Sequence, residues 1–208
     1  MKGSLLAFGC FAAGIWLGKA DYAPAWMLGA AVPSVLLSLL ILQVGLGLGS
    51  NDDLRCMLRS FRMRMLLLPL FTVGGTLLFC AFGSLLPGTR SLTECLAAGS
   101  GFGYYSLSSV MIAELYVPTL GARAAAELAA IALLANVARE MIALFCAPLF
   151  VRRYGELPAI AAAGITSMDV CLARIVDAGK DGGELVPLCI FHGIVLEISV
   201  PLLIQLFR

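Results

Sequence analysis

Long apolar runs broken by short polar stretches set the pattern of this chain. Ser4 to Gly18 is a short apolar run with Gly9, Gly14 and Gly18 spaced for close packing against another helix. Trp26 to Gly49 is long enough to cross a bilayer, with Trp26 placed as an interfacial anchor. Asn51 to Arg64 then carries Arg55, Arg59, Arg62 and Arg64 against Asp52 and Asp53, a basic excess that predicts a cytoplasmic loop. Met65 to Leu86 predicts a span ending at the turn Pro87-Gly88. Ala124 to Phe150 predicts a long Ala-rich helix followed at once by Arg152 and Arg153, and Glu184 to Phe207 predicts the last span.

Two further segments are apolar at their flanks but interrupted inside. Within Ser91 to Val117, the stretch Ala98 to Ser109 (AGSGFGYYSLSS) holds three glycines, two tyrosines and four serines. Glycine costs about 1 kcal/mol in a helix interior relative to alanine, and freed backbone groups in hydrocarbon need partners. A broken or re-entrant segment lining a polar cavity is therefore expected. Leu157 to Ala178, with Gly164-Ile-Thr-Ser-Met-Asp169, reads the same way. Treating the first as a hairpin entered from outside keeps Arg152 and Arg153 in the cytoplasm with the earlier arginines. The two segments share an Ala-rich lead, a glycine and then hydroxyls, a weak sign of the inverted repeats found in transporters. The expectation is an all-α polytopic membrane transporter with about five full spans plus two interrupted segments, N-terminus inside and C-terminus outside. It forms a single integral membrane domain, with 1–64 as scaffold helices and basic loop and 65–208 as the substrate-site core.

Composition narrows the class. The chain is 61% hydrophobic and 13% charged, with a mean hydropathy of +0.97, outside the range of soluble domains. Net charge is +1 and the arginines are scattered, so nucleic acid is excluded as a partner. Seven cysteines stand singly without CxxC or a His/Cys cluster, which predicts packing thiols and neither metal nor other cofactor. Lys2 before an apolar run resembles a signal peptide, but Gly18-Lys19 is a poor cleavage site and a retained helix is expected.

The candidate chemistry lies in ionisable groups at membrane depth. Glu140 shares a helix face with Asn136, four residues earlier, and Arg139 is three from Asn136. Such groups cost roughly 2.5–3.5 kcal/mol on insertion scales. They serve either as structural glue or as a cation or proton site. Asp169 follows Thr166 and Ser167 in an interrupted segment, where it can cap a helix from Val170, bind a cation, or do both. A desolvated carboxylate suits proton exchange. His192, the lone histidine, reads equally as a helix contact or a relay. Glu197 is expected to pair with Arg174 or with a partner chain, and Arg174 with Asp177. No HExxH, GxSxG or Cys-His spacing is present, so an intramembrane enzyme using Ser167 or His192 ranks well below a transporter.

Four blocks in order carry a family resemblance: Ala98 to Ser108 (AGSGFGYYSLS), Asn136 to Glu140 (NVARE), Gly164 to Asp169 (GITSMD), and Val186-Pro187 with His192-Gly193 and Val200-Pro201. On these the chain resembles the bacterial lysine exporter family of the LysO type. The resemblance implies export of L-lysine and its analogue thialysine across the bacterial inner membrane in antiport with protons, with no enzymatic activity. It matches the family's membrane acids to Glu140 and Asp169. Around them, Asn136, Arg139, Gly101, Tyr104, Ser106, Ser108, Thr166, Ser167 and His192 are the expected substrate and proton contacts. Tyr104 replaces a common tryptophan, and Glu197 stands where a small or apolar residue is expected. Full-length members carry further N-terminal spans, which predicts a small companion membrane subunit; membrane lipids and further copies of the chain are compatible partners. The alternatives are a transporter of another cationic solute and a non-enzymatic subunit of a two-component transporter.

Overall fold

The computed structural model describes residues 63–86, 90–179 and 182–208, together with single positions between 9 and 46. The predicted spans Ser4 to Gly18 and Trp26 to Gly49, most of the basic loop, and the turn Pro87-Gly88 lie outside the described residues. Most of the described residues are helical, and none of them forms a strand.

A short 3-10 turn, Met63–Leu66, leads into α1 (Leu67–Gly83). The segment Ser91 to Val117 divides as expected into α2 (Leu92–Gly99) and α3 (Tyr105–Leu115). Ser91 starts α2 by accepting from the Glu94 N–H and donating to the Glu94 carboxylate, the Ser-x-x-Glu pattern of a helix start. After the single turn α4 (Val117–Leu120), Gly121 at φ +81° opens the long α5 (Ala122–Tyr154). This helix runs past its predicted end at Phe150, because Arg152 and Arg153 complement the dipole of its last turn and Gly155, at φ +89°, ends it. The second interrupted segment divides into α6 (Glu156–Ala163), a 3-10 turn over Gly164–Met168, and α7 (Leu172–Ala178). The last helix is α8 (Gly182–Leu206).

Two of the described helices are long and apolar enough to cross a membrane, Ala122–Tyr154 and Leu185–Leu206 within α8. Large apolar side chains stand outward on α1 (Leu70, Phe71, Phe79), α5 (Ile142, Phe145, Leu149) and α8 (Leu202, Leu206). Surfaces of this kind fit lipid far better than water. The chain is a helical membrane protein. Its described cysteines are all free thiols, as expected.

Packing is organised along α5. Its first half joins α2, α3 and α8 in one core through Phe102, Leu107, Ile112, Leu128 and Leu196. Its second half joins α6, α7 and α8 in another through Leu144, Ile160, Ile175 and Cys189. Between these apolar clusters α5 carries the buried polar residues Asn136 and Glu140. At the start of α5, Arg90 bridges Glu94 and Glu127 at 3.4 and 2.8 Å, and Arg123 meets Glu127 at 3.2 Å, so Glu127 is held by two arginines.

The two helix breaks touch. The Ile165 N–H donates to the Phe102 carbonyl at 3.0 Å, joining the 3-10 turn after α6 to the bend between α2 and α3. Phe102 holds φ +45°, rare for a side chain of its size, and is fully buried. Gly164 lies at φ +65°, and a β-carbon there would strike the Phe102 carbonyl oxygen. Both the conformation and the contact exclude a side chain. Gly164→Ala is therefore expected to destabilise the protein by more than the roughly 1–3 kcal/mol of backbone strain alone. Gly121→Ala, at a similar φ but with open space around it, should show the strain alone. Chemical unfolding of both variants in detergent checks this; equal losses would mean that the Phe102 contact adds nothing.

Candidate functional site

The bend between α2 and α3 is held by Asn136. Its Oδ1 accepts from the Gly103 N–H at 2.7 Å, while Nδ2 donates to the carbonyls of Ala132 at 2.8 Å and Ala98 at 3.4 Å. Gly101 lies against this carboxamide so closely that a β-carbon would overlap it. The serine hydroxyls turn back onto their own segments: Ser100 to Leu96, Ser108 to Tyr104 and Ser109 to Ser106. Ser108 is thereby buried within its helix.

Arg139 serves the other break. Sequence spacing lets it reach the side of Asn136 and Glu140, but its guanidinium points to the end of α6. There Nε donates to Ala162 O at 3.0 Å, Nη2 to Ala161 O at 2.8 Å and Nη1 to Thr76 Oγ1 at 3.4 Å. The carbonyls of a last helical turn have no intrahelical partners, and a cation answers both that shortfall and the dipole. The Phe102 ring lies below it, 5.9 Å from centroid to guanidinium carbon.

His192 is fully buried and joins three elements. Nε2 meets Thr72 Oγ1 on α1 at 3.0 Å, and Nδ1 meets Ser167 Oγ on the 3-10 turn at 3.2 Å. Ser167 Oγ also donates within reach of Gly164 O at 2.7 Å and Cys189 O at 3.1 Å. Ser167 and His192 thus meet each other, and neither lines the pocket that Asp169 lines.

Where the breaks cross, a pocket of about 150 Å³ opens, lined by Gly103, Tyr104, Tyr105, Ser106, Glu140, Ile165, Thr166, Met168, Asp169, Val170 and Glu197. Five expected contacts therefore come together: Glu140, Asp169, Tyr104, Ser106 and Thr166. Asn136, Arg139, Gly101, Ser108, Ser167 and His192 do not line it; they shape the segments that do. Glu140 is 1% exposed, whereas Asp169 is exposed and Glu197 half-buried. The Asp169 carboxylate accepts from the Val170 N–H. It caps a turn, not a helix, because α7 begins at Leu172. The ion pairs among the described residues are those of Arg90 and Arg123, so the expected Glu197–Arg174 and Arg174–Asp177 pairs are not formed. Among the lining residues outside the expected contacts, Glu197 is the one acid. Its signal was legible: an acid at mid-span with no local basic partner.

Three carboxylates and four hydroxyls face this pocket, and among the described residues no lysine, arginine or histidine lines it. The first turn of α3, Tyr105 and Ser106, faces it as well, and Tyr104 gives that helix start no side-chain cap. The chemistry is that of a site for a cation that also bears hydrogen-bonding or anionic groups.

If Arg139 acts as a cap for α6, Arg139→Met is expected to lower stability by roughly 1.5–3 kcal/mol. Arg139→Lys should recover only part, since an ammonium lacks the planar fork. Chemical unfolding in detergent reads both, and an unchanged midpoint in Arg139→Met would remove the cap from the account.

The family model for the lysine exporter LysO matches residues 8–208. The chain is similar to lysine exporter LysO of Escherichia coli strain K12, 36% identical over 116 residues, which is 56% of this chain and 35% of that protein. It is also similar to a Haemophilus influenzae Rd protein named provisionally as a lysine exporter, 37% identical over 116 residues, 56% of this chain and 54% of that one. Those matches span about a third to a half of the length of these relatives. No solved structure matches the chain. An all-helical membrane protein whose acidic pocket forms where two broken helices cross, and whose residues match from 8 to 208, belongs to the LysO lysine exporter family.

Proposed function

We propose that this chain moves L-lysine out of the cytoplasm in exchange for protons, as a multi-pass protein of the bacterial inner membrane. The observation that carries the reading is the meeting of Glu140 from α5 and Asp169 from the second break in one pocket. Lysine presents an α-ammonium, an ε-ammonium and a carboxylate. The two acids receive the two ammoniums, and the start of α3 receives the carboxylate through its free N–H groups and positive dipole end. Tyr104, Ser106 and Thr166 complete the polar lining. At about 150 Å³ the pocket is below the roughly 300–1,000 Å³ of sites for drug-sized ligands, which favours a slim, unbranched molecule.

Exchange follows from competition. Protons and ammoniums bind the same carboxylates, so one pocket holds one or the other. Asn136, Arg139, Gly101, Ser108, Ser167 and His192 are positioning residues that keep the two breaks in register. The topology that goes with this mechanism is five crossings with the two broken segments entering from opposite faces. A second reading, transport of another small organic cation, is supported by the same acidic lining, since no group in it recognises lysine alone.

Proteoliposomes containing the protein, loaded with labelled lysine and placed in acidic medium, test the proposal. Efflux driven by the inward proton gradient is expected. Glu140→Gln and Asp169→Asn should each slow it by at least about tenfold while eluting as folded protein. Efflux no faster than from empty liposomes overturns the proposal, and a wild-type rate in either variant removes that acid from the mechanism. Competition by another cation with no competition by external lysine would move the assignment to the second reading.

A further inference from the structure

Glu197 gives the pocket more negative charge than the proposed substrate can neutralise. It stands on α8, and its side chain lines the same cavity as Glu140 and Asp169. Among the described residues, the other titratable groups facing that cavity are Tyr104 and Tyr105. Arg139 is committed to the end of α6, and His192 to Thr72 and Ser167. No basic side chain among the described residues lies within ion-pair distance of Glu197.

The position of Glu197 follows from close packing. Gly193, one turn earlier, has no room for a β-carbon, because Met168 would lie 2.7 Å from it. The 3-10 turn therefore seats directly on α8, bringing Glu197 to the segment that ends in Asp169. The pocket thus receives one acid from each of three elements, which makes the third carboxylate part of the wall.

The charge count then bears on the ligand. Lysine brings two ammoniums and one carboxylate. Two acids answer the ammoniums, and a third opposes the carboxylate. A linear α,ω-diamine brings the two ammoniums without the carboxylate, and its slim chain suits the same small cavity. We propose that Glu197 makes this pocket a diamine site as well as an amino-acid site, and that it holds a linear diamine at least as tightly as lysine. The inference rests on the cation-site reading above.

The test is isothermal titration of the full chain in nanodiscs with lysine and with 1,5-diaminopentane, for wild type, Glu197→Gln and Glu197→Ser. The diamine is expected to bind wild type with a Kd no larger than that of lysine. In both variants the preference should move towards lysine by about tenfold, the effect of one lost charge contact near a protein surface. Two substitutions of different size separate a charge effect from a packing effect, and thermal unfolding confirms that each is folded. Lysine binding without diamine binding, or an unchanged preference in both variants, overturns this inference and leaves lysine transport standing. Diamine binding without lysine binding overturns lysine as substrate and the amino-acid half of this inference, and supports the diamine half. Binding of neither overturns both.

Discussion

One backbone hydrogen bond, from Ile165 N–H to the Phe102 carbonyl, is the contact on which the rest of the architecture depends. Two helices stop inside an apolar body, and each stop frees backbone groups that hydrocarbon cannot satisfy. Placing the breaks against one another lets one supply what the other lacks. Asn136 and Arg139 finish the task, the first across the α2–α3 bend and the second at the end of α6. Both project from α5, so a single long helix braces both interruptions.

That division explains why so many polar residues here do not face the pocket. Ser108, Ser167, Asn136, Arg139 and His192 are consumed by backbone carbonyls, by N–H groups or by each other. Their work is to hold a bend that would otherwise cost too much in lipid. The glycines act with them. Gly101 admits the Asn136 carboxamide, Gly164 admits the Phe102 carbonyl, and Gly193 admits Met168. Close approach at these points is what lets three acids from three elements face one small cavity.

Much of this was legible along the chain. The breaks at Gly99 to Tyr104 and at Gly164 onwards were marked by glycine and hydroxyl content in apolar surroundings, and the helices end there. Glu140 and Asp169 were marked as acids at membrane depth, and both line the pocket. Less legible was direction. Spacing of three or four residues places Arg139 near the face of Glu140, but an arginine is long enough to be claimed by carbonyls from another helix. Glu197 was expected to pair with Arg174 or a partner chain, when it lines the cavity with acids from other elements.

The sequence by itself determined that the chain is helical and membrane-embedded, where its helices break, and that Glu140 and Asp169 stand out as acids in apolar surroundings. These are properties of local composition and periodicity, and they survive whatever the partners are. Only the tertiary structure decided which polar groups brace the breaks and which face the cavity, and that Glu197 joins Glu140 and Asp169. The physical reason is that a buried polar group is satisfied by whichever partner packing delivers, and packing joins elements that are distant along the chain.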